Sequence, residues 1–154
     1  MSITKQLRKT ETMVSVANWR HNLHALRAHL QPGVKLMAVV KADAYGHGLV
    51  PFSMAAQQER VDWLGVALAE EGCKLREAGI TLPILVLGSL NQAGMLAAAR
   101  SGLTVTIADA QGVKRAQKAA MDIHQSLNAH IKLDTGMHRI GAGSEKEVRA
   151  ILEA

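Results

Sequence analysis

Residues 63–108 read WLGVALAEEGCKLREAGITLPILVLGSLNQAGMLAAARSGLTVTIA and alternate short β-branched runs with amphipathic segments. This alternation predicts strands over 63–67, 84–87 and 104–108, separated by helices over 69–78 and 92–101. Gly79 and Gly102 mark the ends of the two helices, and Asn91 and Asp109 stand where N-caps are expected. Such a succession of strands and helices is typical of a parallel sheet.

The same alternation of strands and helices continues on both sides of residues 63–108. Strands are predicted over 34–41 and 129–134, and helices over 18–30, 49–60, 110–120 and 144–154. A parallel α/β sheet is either open and doubly wound or closed into a (β/α)8 barrel of the TIM type. A closed barrel has eight strand–helix units, and about five are counted in these 154 residues. If the fold is a barrel, we therefore expect it to be incomplete in this chain.

The composition narrows the class of protein. Apolar residues make up 48% of the chain, which is enough to form a core and argues against disorder. Basic residues are scattered among acidic ones and only 3% of residues are aromatic, so we expect no nucleic-acid partner despite the charge of +5. No apolar run approaches the ~20 residues of a membrane helix, and residues 1–16 lack a secretory apolar core. We therefore expect a cytoplasmic protein without a membrane partner.

A run of small and polar residues follows the first predicted strand. Residues 41–48, KADAYGHG, begin at the carboxyl end of that strand, which is the edge of a parallel sheet where ligand sites gather. A lysine that emerges there from an apolar strand is partly desolvated, which favours Lys41 as a nucleophile or a base. Gly46 and Gly48 allow an anion to approach the backbone, and Tyr45 supplies a hydroxyl for a phosphate oxygen. Taken alone, the run also fits a surface lysine before a glycine turn.

A second such run, KLDTGMHRIG, occupies residues 132–141. Lys132 and Asp134 alternate with apolar residues, so their side chains share one face of the strand. In a barrel this face is the interior, where a lysine needs a partner or a chemical change. Arg139 follows, and its guanidinium suits a carboxylate or a phenolate oxygen. Taken alone, the run also fits an edge strand with solvated charges.

No metal site is expected in this sequence. Cys73 is the only cysteine, which excludes an intrachain disulfide and argues against a cysteine-based zinc site. His47 and His138 lie in the two runs and could suggest a metal pair, but the sequence has no cluster of carboxylates at ligand spacing with them. We expect these histidines to form hydrogen bonds in their loops instead.

The two runs together resemble the alanine racemase family, which are pyridoxal-phosphate enzymes of fold type III. VVKADAYGHG at 39–48 is followed about ninety residues later by KLDTGMHRIG, and the eight residues 41–48 of the first stretch are highly specific to the family. The supporting context is RHNL at 20–23, WLGVA at 63–67 with Glu70 and Glu71 after it, and LPILVLG at 82–88. The resemblance begins at about Glu11. It implies a TIM-type barrel and an isomerase that interconverts L- and D-alanine for peptidoglycan synthesis.

The resemblance also implies roles for single residues. Lys41 is expected to bind pyridoxal 5'-phosphate covalently and to act as the base on the D-face of the substrate α-carbon. Tyr45 is expected to bind the cofactor phosphate, and Arg139 to bind the cofactor's phenolic oxygen and help to seat the substrate. Lys132 corresponds to a position that is carbamylated in many members, which would turn a buried cation into an anion able to hold Arg139.

The sequence departs from the family in length and in its tyrosines. Full members are about twice as long, with further barrel strands and a C-terminal β domain whose tyrosine acts on the opposite face across a homodimer interface. Tyr45 is the only tyrosine in this chain. We therefore expect residues 1–154 to be the N-terminal part of a PLP-binding barrel that racemises alanine weakly or not at all alone and that self-associates through exposed strand edges. The alternatives are a PLP-binding module without racemase activity and a structural fragment that binds no cofactor.

Overall fold

The computed structural model describes residues 13–154. The chain divides into two compact units, Met1–Pro32 and Gly33–Ala154, and each is described by itself. Residues 1–12 lie outside the described residues; they include Glu11, where the resemblance begins, and most of the segment 1–16 that is expected to lack a secretory signal. The first unit contains α1 (Val16–Ala28). This helix begins two residues before the predicted start because the Ser15 hydroxyl accepts a hydrogen bond from the Asn18 N–H at 3.2 Å.

The second unit contains a five-stranded sheet whose strands lie in chain order. All neighbouring strands pair in parallel. The strands are β1 (Met37–Val39), β2 (Trp63–Val66), β3 (Ile84–Val86), β4 (Thr104–Ile107) and β5 (Ala129–Ile131). All five predicted strands are confirmed, and each is shorter than predicted because the apolar runs extend past the paired residues into the loops.

Helices connect the strands and follow the last one. They are α2 (Lys41–Gly46), α3 (Leu49–Gln58), α4 (Ala69–Glu77), α5 (Gln92–Arg100), α6 (Ala110–Ile123) and α7 (Glu145–Leu152). From α3 to α7, each helix contacts the next one along the chain. Because parallel crossovers are right-handed, strands in chain order place their helices on one face of the sheet. A doubly wound sheet reverses its strand order and carries helices on both faces, so this alternative is excluded.

Local hydrogen bonds and glycine conformations define the predicted starts of α5 and α6 and the predicted ends of α4 and α5. The Asn91 side chain accepts from the Gly94 N–H at 2.8 Å, and Asp109 accepts from the Gly112 N–H at 2.6 Å, so both N-caps are confirmed. Gly79 and Gly102 follow their helices with φ of 83° and 60°, the left-handed conformation that glycine adopts without a steric cost.

The sheet is strongly curved. The rings of Trp63 in β2 and His130 in β5 lie with their centroids 5.4 Å apart. In a flat sheet these strands would be separated by three spacings, or roughly 14 Å. Two side chains can meet across that distance only if the sheet bends toward them. The curvature, together with the strand order, confirms the incomplete barrel that the sequence predicts.

The hydrophobic core lies between the sheet and the helices. Leu64, Ile84 and Val86 have no accessible surface, and their registered partners face the same side. On the opposite, concave face Gly65 leaves room for its neighbours, because a Cβ atom there would crowd the side chains of Met37, Leu87 and Val39. This face is partly accessible at its first strand, where Val39 is 40% exposed.

The segment after β1 differs from the expected glycine loop. Ala42, Asp43, Ala44 and Tyr45 all have φ between 52° and 56°, so the chain makes one left-handed turn within α2. For residues with a Cβ atom this conformation costs about 1 kcal/mol or more each. The turn therefore stores strain that contacts elsewhere must offset.

Arg76 in α4 joins the ends of two helices at the opposite, amino-terminal edge. Its guanidinium donates to the carbonyls of Ile80 and Leu82 at 2.8 Å each, and to those of Ser101 and Gly102 at 3.2 and 3.4 Å. Burial lowers the pKa of Arg76, which still remains a cation. One side chain thus satisfies four loop carbonyls.

Replacing Arg76 by methionine should lower the free energy of unfolding by about 2 kcal/mol, because half-buried carbonyls lose a charged donor. Urea denaturation followed by circular dichroism measures this change. Lys74→Met is the matched control, since Lys74 is exposed on the same helix and its replacement should change stability by less than about 0.5 kcal/mol. Equal losses in both variants would contradict the role of Arg76.

Replacing Ala42 by glycine should raise the free energy of unfolding by about 1 kcal/mol, because glycine accepts the left-handed φ without the steric cost of a Cβ atom. The same urea titration reports it. In α7, Ala150→Gly should instead lower stability by about 1 kcal/mol, since Ala150 lies in an ordinary helix. A loss of stability in both variants would argue against the strained turn.

Candidate functional site

Lys41 lies at the carboxyl edge of the sheet, directly after the last paired residue of the first strand. The Val40 N–H donates to the Gly65 carbonyl at 2.8 Å, which continues the ladder one residue past β1. Val40 is buried and Lys41 is half-buried, so the lysine is where the chain leaves the core. This is the edge that the sequence predicts for it.

The left-handed turn brings Tyr45 to Lys41. One turn separates the two residues, and the Nζ atom of Lys41 lies 5.9 Å from the centroid of the Tyr45 ring. An ammonium group over an aromatic face is attracted by the negative charge of the ring face. Tyr45 is 61% exposed. The structure thus brings together two of the predicted site residues.

Two carboxylates hold the turn at its ends. Glu71 accepts from the Ala42 N–H at 2.6 Å, and the Asp43 side chain accepts from the Leu49 N–H at 2.7 Å. The Gly48 N–H also donates to the Asp43 carbonyl at 2.8 Å. Strained backbone persists where the surroundings over-determine it, and these contacts meet that condition.

Glycine occupies two positions of this segment for steric reasons. Gly46 and Gly48 have φ of 85° and 101°. No heavy atom lies within 4 Å of the place where a Cβ atom on Gly46 would stand. The backbone beside Tyr45 is therefore open to a ligand, as expected from the sequence.

The loop after β5 carries the other predicted residues, and it closes back on its own strand. The Asp134 N–H donates to the Ala142 carbonyl and the Ala142 N–H to the Lys132 carbonyl, at 2.9 Å each. A Cβ atom on Gly141 would stand 2.9 Å from the Lys132 carbonyl oxygen, so only glycine fits at this crossing.

Lys132 and Arg139 share this loop but are not in contact. The Lys132 amine donates to the Leu133 carbonyl at 2.7 Å. Arg139 lines an open cavity of about 480 Å³ beside Asp109 and Glu147, and it forms no hydrogen bond or ion pair with any described residue. The pairing of these two residues, which the resemblance implies for a carbamylated lysine, is absent from the structure of the unmodified chain.

Asp134 organises the same loop, a role that the sequence analysis missed. Its Oδ1 atom accepts from the His138 N–H at 3.0 Å and from the Gly136 N–H at 3.1 Å. These backbone donors hold the pKa of Asp134 below its ordinary value, and the positive charge of Lys132 adds to the effect. The only available sequence signal was an aspartate directly before a glycine-containing loop.

Glu71 was also missed as a site residue, although it is part of the sequence context of the family. Its partner Ala42 lies 29 residues away, so local patterns cannot reveal the hydrogen bond. Within residues 13–154, no group of three His, Cys, Asp or Glu side chains is placed to hold a metal ion. None of the helices in that range is both long and apolar enough to cross a membrane.

Acidification should release the loop after β5. Because the pKa of Asp134 is lowered by folding, its contribution to loop order is present above the ordinary carboxyl pKa and is lost as the pH falls through the lower, folded value. The amide resonances of Gly136 and His138 should therefore move together with a midpoint below pH 3.8. Asp134→Asn should abolish the shared transition, and a midpoint above that pH would contradict the assignment.

Comparison with known proteins identifies relatives over most of the chain. Residues 14–154 match the family described as alanine racemase, N-terminal domain. Alanine racemase 1 of Oceanobacillus iheyensis is 39% identical over 139 residues, which cover 90% of this chain and 37% of that protein.

Solved structures give the same result. Alanine racemase of Clostridium difficile 630 in complex with cycloserine superposes with a TM-score of 0.85 at 36% identity, over 88% of this chain and 38% of that one. A histidine racemase from Leuconostoc mesenteroides superposes with a TM-score of 0.78 at 28% identity, over 86% and 36%. The chain spans less than two fifths of the length of these three relatives. By sequence and by fold, it belongs to the alanine racemase N-terminal domain family.

Proposed function

We propose that this chain binds pyridoxal 5'-phosphate through Lys41 and contributes that lysine to a PLP-dependent alanine racemase. The observation that carries the proposal is the position of Lys41, a half-buried residue at the carboxyl edge of a barrel sheet, whose amine lies 5.9 Å from the centroid of the Tyr45 ring across a strained turn. Membership of the alanine racemase N-terminal domain family supports the same activity.

The donors at this edge fit the groups that the cofactor carries. An aldehyde needs an amine, which Lys41 supplies; a phosphate needs a hydroxyl and open backbone, which Tyr45 and Gly46 supply. A phenolic oxygen needs a strong donor, and the Arg139 guanidinium forms no contact with a described residue that would compete for it. Carbamylation of Lys132, which the structure leaves unmodified, would give Arg139 an anionic partner.

When bound, the cofactor withdraws electrons from the substrate α-carbon and makes its proton acidic. In this proposal the Lys41 amine removes or returns that proton on the D-face. Tyr45 and Arg139 orient the reacting groups, and Arg139 also binds the substrate carboxylate. The role of the strained turn is to keep the amine at one position, because acid–base catalysis depends on that geometry.

Racemisation also requires a proton donor on the opposite face, which a fixed lysine reaches poorly. Tyr45, the only tyrosine in the sequence, is assigned to the phosphate. We therefore propose that residues 1–154 form the N-terminal part of a barrel whose second acid–base group comes from further barrel or C-terminal domain residues in a homodimer. The complete enzyme would supply D-alanine for peptidoglycan in the cytoplasm, whereas this chain alone binds the cofactor and racemises weakly.

The substrate is proposed to be alanine, as in the relatives named alanine racemase. The similarity to a histidine racemase indicates that this portion of the barrel is shared by enzymes with different substrates. A module that binds the cofactor without turnover is the second candidate, and the lack of another tyrosine favours it for the isolated chain.

Cofactor capture tests the proposal directly. Incubation with pyridoxal phosphate, borohydride reduction and peptide mapping should place one phosphopyridoxyl group on Lys41. Lys41→Ala should lose this label, whereas Lys35→Ala, which removes an exposed lysine just before β1, should retain it. A label spread over surface lysines in all three proteins would refute the site. If the wild-type chain is labelled at Lys41, an alanine racemase assay on unreduced wild-type protein with the cofactor then separates the two candidate functions.

A further inference from the structure

Glu71 joins the loops that follow two neighbouring strands. Its Oε2 atom accepts from the N–H groups of Ala67 and Leu68, at 2.8 and 3.1 Å, at the end of β2 and the start of α4. Its Oε1 atom accepts from the Ala42 N–H at 2.6 Å, after β1. One half-buried carboxylate therefore satisfies three backbone donors from two loops.

The two carboxylate oxygens of Glu71 bind different parts of the chain. The bonds of Oε2 are those of an ordinary helix start, where an acidic residue in the first turn satisfies free amides. The bond of Oε1 reaches 29 residues back along the chain and contributes nothing to that start. A role in helix capping alone therefore leaves the shortest of the three contacts without an explanation.

The Ala42 N–H belongs to the peptide unit that directly follows Lys41. Because a peptide unit is planar, a bond that fixes its N–H also fixes the carbonyl of Lys41, which limits the backbone rotation that sets where the Cα–Cβ bond of Lys41 points. Ala42 is also the first residue of the left-handed turn, with φ of 52°. The hydrogen bond from Ala42 to Glu71 keeps the left-handed turn from relaxing. The turn then keeps the Tyr45 ring beside the Lys41 amine.

We propose that Glu71 is a positioning residue for Lys41, acting through the Ala42 N–H. Its effect on cofactor capture rests on the proposed function, whereas its effect on the Lys41–Tyr45 geometry does not. Glu71 does not itself contact the lysine amine in this proposal; it acts only on the backbone.

Glu71→Gln separates positioning from capping. A glutamine side chain has one oxygen, and two N–H donors at the helix start compete for it against one at Ala42. The NH2 group of the glutamine then faces the Ala42 N–H, and because both groups are donors no hydrogen bond forms between them. The matched control is Glu70→Gln, because Glu70 is the exposed neighbour on the same turn. Asn91→Ala is a second control, since it removes the N-cap of α5, which follows a different strand, and destabilises the chain without removing a hydrogen bond of the Lys41 segment.

Three measurements on the full chain decide the matter. In Glu71→Gln, hydrogen exchange at the Ala42 amide should be at least about tenfold faster, and the nuclear Overhauser effect between the Lys41 ε-protons and the Tyr45 ring should be lost. The rate of phosphopyridoxyl labelling at Lys41, relative to Lys35, should fall about tenfold. Glu70→Gln and Asn91→Ala should retain all three wild-type values at a temperature where every variant is folded by circular dichroism.

Results other than these would contradict either the positioning role of Glu71 or the proposed function of Lys41. An unchanged Lys41–Tyr45 contact in Glu71→Gln would refute the positioning role, and its loss in Asn91→Ala as well would assign it to general destabilisation. If wild-type protein shows no preference for Lys41 in labelling, the proposed function fails. The exchange and Overhauser measurements still decide the role of Glu71 in that case, because neither requires the cofactor.

Discussion

Parallel pairing between strands that are adjacent in the chain constrains everything else in this fold. Each connection must return from the carboxyl edge to the amino edge, and the right-handed crossover carries every helix to the same face. The helices bury that face of β2, β3 and β4 completely, and the sheet curves around the other. All loops that leave the carboxyl ends of strands then gather at one edge, which is why Lys41, Glu71 and Asp134 belong to the same region although they are far apart in sequence.

At this edge, carboxylates that accept hydrogen bonds from backbone N–H groups stabilise the loops. Glu71 and Asp43 hold the loop after β1, and Asp134 holds the loop after β5. Each accepts from backbone N–H groups in a loop or at the start of a helix, and each fixes a loop that carries a candidate functional cation. Hydrogen bonds to an ionised acceptor are stronger than neutral ones, which suits them to offset the steric cost of four consecutive left-handed residues.

Local features of the fold could be predicted from the sequence, whereas the contacts between loops could not. The strands, the caps at Asn91 and Asp109 and the helix ends at Gly79 and Gly102 depend on residues a few positions apart, and these predictions are confirmed. The left-handed turn was missed because alanine and tyrosine disfavour positive φ and a single aspartate among them adopts it only as an isolated residue, so no local pattern signals four in a row. Predicting that turn requires knowing that Glu71 reaches Ala42, which is a consequence of the register of β1 on β2.

The resemblance to alanine racemases correctly identified the family, whereas the Lys132–Arg139 pair that it implies for a carbamylated lysine stays a prediction, because Lys132 is unmodified in this structure. The Lys132 amine instead binds the neighbouring carbonyl of Leu133. An ammonium group and a guanidinium repel each other, so these two side chains approach only when the charge of one is changed or an anion lies between them. The difference therefore follows from electrostatics, not from the fold of the loop.

The contact between Trp63 and His130 has a consequence for how a barrel of this kind closes. The five strands bend far enough for side chains of β2 and β5 to make contact on the concave face, so these residues produce the curvature without any further strand. In the complete barrel proposed above, further strands would pair with β1 and β5 across an opening whose geometry this curvature already limits. Ring closure would then add strands to a sheet that is bent beforehand.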